Sequence, residues 1–241
     1  MGLGKRYLKV GIENIKPQAL LLLGGSGGIG SALLDYISTK TDLICIPTYN
    51  MNRPAGENFV WQQYDSSNVD STRTLFEEVS ANFQVKVVID ATGSFFAAKL
   101  RNAPPVEISK VIFTNLIAPM ILAKNCQEFM ATEGRVVFLS SILSKMDLVG
   151  SSVYASSKAG LERGIQVLAS EYTQTGHAIC GIRLGYMDYG MTYKINDRVR
   201  GEILRSLPEG KFIDISLLGE KILELCESKA KVINGKIYEI K

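Results

Sequence analysis

Short apolar runs alternate with longer segments of helical periodicity along the whole chain. A short apolar run is typical of a buried strand, whereas apolar residues spaced three and four apart indicate a helix face. The runs predict strands at about 19–24, 42–48, 59–64, 85–91, 134–140, 178–184 and 232–239. The helical spacing predicts helices at about 28–39, 68–82, 106–131, 151–174 and 216–228. This alternation predicts an α/β fold, a parallel sheet with helices on both faces.

Composition limits the classes of protein to consider. A chain of 241 residues can form one large α/β domain or two small ones, and its 46% hydrophobic content suffices for a sizeable core. The net charge of +3 gives no argument for binding nucleic acid or a membrane surface. The start lacks the apolar core of a signal peptide, and no apolar run approaches the ~20 residues of a membrane span. We therefore expect a single cytoplasmic domain over 1–241, in which 1–14 extends ahead of the first strand.

The cysteine and histidine content argues against a metal site. The four cysteines are widely spaced, with no Cys-x-x-Cys pair, and Cys45 and Cys180 lie within apolar, strand-like segments. This pattern is typical of reduced core cysteines. His177 is the only histidine, so a zinc site would lack ligands. We expect no bound metal.

A glycine-rich turn follows the first predicted strand. The apolar run from Ala19 to Leu23 leads into Gly24-Gly-Ser-Gly-Gly-Ile-Gly30, and helical spacing begins at Ser31. Strand, glycine turn and helix form the context in which such a turn cradles a pyrophosphate. Glycines let the backbone approach the phosphates, and the helix N-terminus offers free N–H groups. The alternative is an ordinary tight turn.

A tyrosine, a lysine and a serine suggest a site for proton transfer. Tyr154 and Lys158 are four residues apart in a predicted helix, so they share a face. A nearby ammonium stabilises phenolate and is expected to lower the pKa of the tyrosine. Ser141 precedes the tyrosine by thirteen residues, and its hydroxyl could hold a carbonyl oxygen. The alternative is two ordinary surface side chains on an amphipathic helix.

Together these motifs resemble the short-chain dehydrogenase/reductase family, over about residues 15–240. The glycine pattern of the family matches Gly24, Gly28 and Gly30, and its Ser, Tyr and Lys match Ser141, Tyr154 and Lys158. Its helix asparagine matches Asn115. The resemblance implies a Rossmann-type doubly wound sheet and an NAD(P)(H)-dependent oxidoreductase, a reductase that converts a carbonyl to an alcohol.

The resemblance also implies a role for each catalytic residue. Tyr154 gives its proton to the carbonyl oxygen as hydride arrives, and Lys158 stabilises the phenolate and binds the nicotinamide ribose. Ser141 polarises the same oxygen. Strand alternation points Ser140 to the opposite face, and Ser144 is a third choice. Asn115 is expected to hold a water that links Lys158 to solvent.

The same resemblance predicts the cofactor contacts. Asp65, after the third strand, would hold the adenine amino group. The family's Asn-x-Ala-Gly turn appears loosely as Asp90-Ala91-Thr92-Gly93. Besides Tyr154 and Lys158, the expected cofactor-binding residues are Gly24, Ser26, Gly28, Ile29, Gly30, Asn50, Arg53, Asp65, Ala91, Gly93 and Met187.

The end of the second strand favours NADP(H) over NAD(H). An acid about 20 residues after the glycine turn would bind the ribose hydroxyls of NAD and repel a 2′-phosphate. No acid stands there, and Thr48, Asn50 and Arg53 offer hydrogen bonds or positive charge to a phosphate. Arg53 could equally be a solvated loop residue.

The segment after the sixth strand departs from the family pattern. Leu184 replaces the usual proline, and Tyr189 stands where a threonine is common. We expect backbone groups near Met187 to contact the carboxamide and 186–212 to cover the substrate. The basic residues there could favour an anionic substrate such as an acyl-carrier thioester, a nucleotide sugar or a keto acid; a solvated helix face is the alternative. These residues are Lys194, Arg198, Arg200 and Arg205.

Two other functions compete with the reductase. Gly-x-Ser-x-Gly around Ser26 fits a hydrolase elbow, with Asp147 and His177 later in the chain, but no earlier strand could complete an oxyanion hole. A non-catalytic dinucleotide sensor would keep the fold without the chemistry. For either enzyme or sensor, the family resemblance implies a homodimer or homotetramer, packed through helices 106–131 and 151–174.

Overall fold

The computed structural model of the protein describes residues 16–56, 58–190, 197–207 and 210–241. The extension 1–14 lies outside this range. The strands are β1 (Gln18–Leu23), β2 (Ile44–Tyr49), β3 (Gln62–Gln63), β4 (Gln84–Asp90), β5 (Arg135–Ser141), β6 (Ala178–Leu184) and β7 (Ile237–Ile240). The helices are α1 (Gly28–Ile37), α2 (Ser71–Asn82), α3 (Pro105–Ile112), α4 (Ala118–Phe129), α5 (Ser152–Thr175), α6 (Asp197–Ser206), α7 (Ile215–Glu227) and α8 (Ala230–Ile233).

All strand pairs of the seven-stranded sheet are parallel, in the order β3-β2-β1-β4-β5-β6-β7. The chain turns back between β1 and β4, which are neighbours in the sheet although β2 and β3 come between them in sequence. In such doubly wound sheets, ligands bind outside the carboxyl ends of the strands at this switch point. The fold is the expected Rossmann-type α/β sheet.

Two apolar cores, one on each face, explain why the strands read as continuous apolar runs. In β1, Leu20 and Leu22 contact the core beneath α1 and α7, whereas Leu21 and Leu23 contact the core beneath α2, α4 and α5. Both sets are fully buried. A strand covered on both faces has no polar side, so alternation disappears from its sequence.

The predicted helix 106–131 is found as one helical stretch, Pro105–Phe129, whose middle is not α-helical. A π-helical turn at Phe113–Ile117 separates α3 from α4, and Pro119 lies in the first turn of α4. Proline removes a helical N–H donor, and π turns often occur at functional positions. Asn115 lies in this turn.

The two outer strands also differ from prediction. The strand expected at 59–64 contracts to Gln62–Gln63. The segment expected at 232–239 begins as α8, and β7 starts only at Ile237. Ile233 lies in α8 and is buried. A buried residue is apolar in a helix as it is in a strand, so a short apolar run alone does not distinguish the two.

The continuous helical stretch Pro105–Phe129 is long and apolar enough to cross a membrane by length and composition alone. Core helices of soluble proteins pass the same test, so one such stretch is weak evidence. Leu122, Ala123 and Cys126 of this stretch are fully buried against the sheet. The exposed apolar side chains lie elsewhere on it, including Val106 and Ile117.

A hydrogen bond between α5 and α4 gives a test of this packing. The buried Tyr172 hydroxyl donates to the Ala123 carbonyl at 2.7 Å. We expect Tyr172→Phe to lower the free energy of unfolding by about 1 kcal/mol, the usual net value of one intramolecular hydrogen bond. Tyr36→Phe is the control, because its hydroxyl meets Glu220 at the surface at 3.4 Å. Urea unfolding compares the two, and equal effects would contradict the assignment.

Candidate active site

A cavity of about 410 Å³ lies at the carboxyl ends of the central strands. The glycine turn lines one side, and the ends of β5 and β6 with the start of α5 line the other. Predicted site residues that line it are Gly28, Ile29, Gly30, Ala91, Gly93, Ser141, Tyr154, Lys158 and Met187. The structure thus brings the glycine turn and the Ser-Tyr-Lys set into one space.

The glycine turn is held by β2. Gly24 adopts a positive φ of 74°, and its N–H donates to the Thr48 hydroxyl at 3.0 Å. The Ser26 N–H donates to the Thr48 carbonyl at 3.1 Å. Thr48 is 1% exposed. The Thr48 side chain therefore faces the glycine turn and fixes its shape, while its contact with a phosphate stays a prediction.

Two of the glycines are required by close approaches. A Cβ on Gly30 would lie 2.1 Å from the Gly24 carbonyl oxygen, so the turn could not close around any other residue. A Cβ on Gly28 would lie 2.3 Å from the Gly190 nitrogen, so the loop after β6 rests against the turn. No side chain caps the first turn of α1. Its first N–H groups are therefore open to an anion, as a pyrophosphate cradle needs.

Tyr154 and Lys158 lie one turn apart near the start of α5, and both are nearly buried, at 6% and 4% exposure. The Lys158 ammonium donates to the Leu139 carbonyl at 2.8 Å, which ties α5 to β5. The ring of Phe95 meets Tyr154 edge-on, with centroids 5.0 Å apart. Ser141 ends β5, and its hydroxyl accepts from the Leu143 N–H at 3.3 Å.

Burial dominates the electrostatics of the two ionisable groups. Desolvation lowers the pKa of Lys158 to about 8, against the opposing influence of Asp90 and Glu162. Desolvation raises the pKa of Tyr154, while a side-chain hydrogen bond with Ser141 partly offsets the rise. The expected lowering of the tyrosine pKa by Lys158 is thus not found. The ammonium is directed at the Leu139 carbonyl, and removal from water outweighs its influence on the phenol.

Asn115 links the loop after β4 to α5. Its side chain accepts from the Ser94 N–H at 2.9 Å and donates to the Ser94 carbonyl at 2.8 Å. It also donates to the Ser157 hydroxyl at 3.1 Å, which in turn donates to the Tyr154 carbonyl at 2.7 Å. The fully buried asparagine therefore fixes the backbone that carries the phenol. Sequence reasoning missed Ser157, although it lies on the same helix three residues after Tyr154.

Asp90 shapes the turn after β4 and was not counted among the predicted site residues. One carboxylate oxygen accepts from the Thr92 N–H at 2.9 Å and from the Thr92 hydroxyl at 2.6 Å. This turn presents Ala91 and Gly93 to the cavity. Burial raises the pKa of Asp90, and the Thr92 hydrogen bonds and the Lys158 charge counteract the rise.

Aromatic and apolar side chains that sequence reasoning also missed line the rest of the cavity. Phe95, Leu143 and Tyr186 follow the carboxyl ends of β4, β5 and β6 in turn. Their positions were the available signal, because ligands in parallel sheets bind at those ends.

The remaining predicted cofactor contacts lie beyond the cavity. Gly24 and Ser26 form the back of the turn, and Asn50 and Arg53 are exposed after β2. Asp65 follows β3, and its carboxylate accepts from the Ser67 N–H at 2.9 Å and the Ser67 hydroxyl at 2.7 Å. None of these five is among the described residues that line the cavity.

The hydrolase alternative is wrong. His177 precedes β6, where its ring nitrogen accepts from the Gly134 N–H at 3.0 Å. Ser26 follows the carboxyl end of β1. In a parallel sheet these positions lie at opposite edges, so the histidine cannot act on the serine.

Comparisons with known proteins agree with this geometry. The short chain dehydrogenase family model matches residues 18–200. The chain is 24% identical to the 3-oxoacyl-acyl-carrier-protein reductase of Escherichia coli K12, over 94% of this chain and 97% of that protein. It is 28% identical to the acetoacetyl-CoA reductase of Cupriavidus necator, over 84% and 86% of the respective lengths.

Solved structures show the same fold. A short chain dehydrogenase from Burkholderia cenocepacia in complex with NADP superposes with a TM-score of 0.83 at 21% identity, over 94% of this chain and 97% of that one. A dehydrogenase/reductase from Sinorhizobium meliloti also gives 0.83, at 19% identity, over 94% of each chain. Since the family model matches most of the chain, the protein belongs to the short chain dehydrogenase family and is an NAD(P)(H)-dependent oxidoreductase.

Proposed function

We propose that the protein is an NADP(H)-dependent reductase that converts a carbonyl to an alcohol, with Tyr154 as the proton donor. The observation that carries this proposal is the shared cavity. The uncapped N-terminus of α1 and the Ser141, Tyr154 and Lys158 side chains line one space at the switch point of the sheet. The nicotinamide supplies the hydride when it is bound.

The side chains divide the proton chemistry among them. The Tyr154 hydroxyl gives its proton to the carbonyl oxygen, and the Ser141 hydroxyl donates a hydrogen bond to the same oxygen. The Lys158 cation stabilises the resulting phenolate. Asn115 holds the backbone around Tyr154 and a water through which the phenolate regains a proton.

The cofactor is held from both sides of the switch point. The N–H groups of Gly28, Ile29 and Gly30 bind the pyrophosphate, while Gly24 and Ser26 shape the turn. Lys158 and Tyr154 bind the nicotinamide ribose, and backbone near Met187 binds the carboxamide. Ala91 and Gly93 contact the nicotinamide half, whereas Asp65 binds the adenine.

The cavity lining supports a substrate that is uncharged around the reacting carbon. Lys158 is the only charged side chain among the described residues that line it, and Phe95, Leu143 and Tyr186 are aromatic or apolar. Arg200 is paired with Asp188, while Lys194 and the side chain of Arg198 lie outside the described residues. A ketone, or the acyl end of an oxoacyl thioester, fits this lining better than a keto acid.

Replacing the phenol separates an enzyme from a dinucleotide sensor. We expect Tyr154→Phe to lower kcat by about a hundredfold or more, because it removes the general acid. NADPH binding should weaken by no more than about tenfold, since one hydrogen bond to the ribose is lost while the other cofactor contacts remain. Tyr36→Phe on α1 is the control. Steady-state kinetics and cofactor fluorescence measure the two quantities, and undiminished turnover in Tyr154→Phe would contradict the assigned role.

The pH dependence follows from the buried lysine. The pKa of Lys158 is about 8. Below that pH the ammonium is charged and stabilises the phenolate; above it the amine is neutral. We therefore expect kcat/KM for reduction, which reports the free enzyme, to fall as the pH rises through about 8. Lys158→Arg stays charged and should lack this fall, at a lower plateau. A wild-type profile that is flat to about pH 10 would refute the assignment.

Cofactor choice gives a further prediction. The described residues 48–56 contain no acid, and Arg53 is exposed there. We expect tighter binding of NADPH than of NADH, and we expect Arg53→Ala to weaken NADPH binding by about tenfold with NADH unaffected. Arg163→Ala, an exposed arginine on α5, is the control. Fluorescence titration measures the dissociation constants of both cofactors for all three proteins, and a wild-type preference for NADH would contradict the proposal.

Exposed apolar side chains on the outer helices support self-association. Val106 and Ile117 on the α3–α4 stretch and Val167 on α5 are 71%, 42% and 50% exposed. We propose that these faces pack in a homodimer or homotetramer, in the cytoplasm, where free cysteines stay reduced. Light scattering should give two or four times the mass of one chain, and Val167→Lys should lower it. A monomeric wild type would contradict this.

A further inference from the structure

A buried polar network lies directly behind the cavity. Its centre is Glu162, which is one helical turn after Lys158 on α5. One carboxylate oxygen of Glu162 accepts from the Ser140 hydroxyl at 2.6 Å, the Ser144 hydroxyl at 2.7 Å and Arg183 Nε at 3.1 Å. The second oxygen pairs with the other arm of the Arg183 guanidinium. Glu162 is 7% exposed and Arg183 5%.

The two hydroxyls bracket Ser141. Ser140 is the residue before it in β5, and Ser144 ends the single 3-10 turn Ile142–Ser144 that follows it. Since strand alternation directs the Ser140 and Ser141 side chains to opposite faces, the Ser140 hydroxyl reaches Glu162 while the Ser141 hydroxyl stays beside Tyr154. One carboxylate oxygen therefore fixes both ends of the short segment that presents the Ser141 hydroxyl.

The arginine balances the charge of Glu162 from the next strand. Arg183 lies opposite Ser140 on β5 and opposite Glu239 on β7 in the sheet register. It donates to the Glu239 carboxylate at 2.8 Å, on the side away from Ser141. A buried ion pair is weak evidence for stability, because well-packed apolar residues often stabilise a core as well or better. The direction of the serine hydroxyls suggests a different use for the carboxylate.

We propose that Glu162 is a positioning residue for the reduction: it holds the Ser140–Ser144 segment so that the Ser141 hydroxyl stays directed at the substrate oxygen. This inference rests on the proposed reductase function. A preorganised donor contributes more to catalysis than one that must reorient during the reaction, and the two serine hydrogen bonds to one carboxylate oxygen restrict the segment.

Glu162 also acts on the charge of its neighbour. The titratable groups that influence Lys158 and Tyr154 are Asp90 on β4, Glu162 on α5 and Tyr186 after β6. Asp90 and Glu162 both raise the pKa of Lys158 against its burial. Loss of the Glu162 charge should therefore lower the pKa of Lys158, so that the amine becomes neutral at a lower pH.

Two carboxylates on one arginine provide a matched comparison. Glu162→Gln and Glu239→Gln each remove one negative charge from Arg183, but only Glu162 bonds to the serines. We expect Glu162→Gln to lower kcat by about tenfold or more, with the NADPH dissociation constant within about twofold. The fall of kcat/KM at alkaline pH, the alkaline limb of its profile, should move to lower pH. Glu239→Gln should keep kcat and the limb close to wild type, and equal kcat in the two variants would overturn the proposal.

A second variant keeps every charge, so it decides the matter even if Glu162→Gln does not fold. Ser144→Ala removes one anchor of the segment. We expect it to lower kcat by about threefold or more while the alkaline limb stays in place. The exposed Ser170→Ala on α5 is its control. Wild-type kcat in Ser144→Ala would refute the positioning role.

The substrate for these assays is one that the wild type reduces and Tyr154→Phe does not. Failure of the proposed reductase function would then appear in the wild-type enzyme itself, as the absence of such a substrate. Failure of the Glu162 inference would appear only in the variants, as unchanged kcat on a substrate that the wild type does reduce.

Discussion

The Lys158 ammonium lies almost wholly out of water, and the groups around it compensate for that burial. It donates to the Leu139 carbonyl, while the Asp90 and Glu162 carboxylates raise its pKa against the effect of burial. An isolated buried cation would lose its proton. The compensation leaves the pKa near 8, so the lysine is charged at neutral pH and loses its proton at slightly alkaline pH. The three compensating groups come from three elements, β5, β4 and α5. The environment of Lys158 therefore forms only when these elements pack together.

The parallel sheet brings these elements together. Because every strand runs in the same direction, the carboxyl ends of β1, β4, β5 and β6 lie at one edge. Three parts of the site lie at those ends: the glycine turn after β1, the Asp90 turn after β4 and Ser141 at the end of β5. The start of α5 lies beside them and carries Tyr154 and Lys158. The π turn in front of α4 places Asn115 against Ser94 and Ser157. The cavity is thus a consequence of topology, with side chains at its rim supplying the chemistry.

The sequence predicted the parts of the site that are local. The glycine turn is recognisable because its strand, glycines and helix are contiguous, and Tyr154 and Lys158 because one helical turn separates them. The roles of Thr48 and Glu162 were not predictable, since each depends on a contact with a distant segment. Thr48 was predicted only as a donor to a phosphate, although it also holds Gly24, and Glu162 was not singled out in the sequence at all. The sequence predicted a lowered pKa for Tyr154, whereas burial raises it. The spacing of Tyr154 and Lys158 reports that they are close, but it does not report that they are buried.

Hydride transfer is the central claim, and isotope labelling tests it most directly. NADPH carrying deuterium at the reactive carbon of the nicotinamide would be incubated with the enzyme and a panel of neutral ketones and oxoacyl thioesters, and the products analysed by mass spectrometry. The account predicts an alcohol with deuterium on the former carbonyl carbon, formed by the wild type. Binding of NADPH without reduction of any carbonyl, or an alcohol free of deuterium, would contradict it.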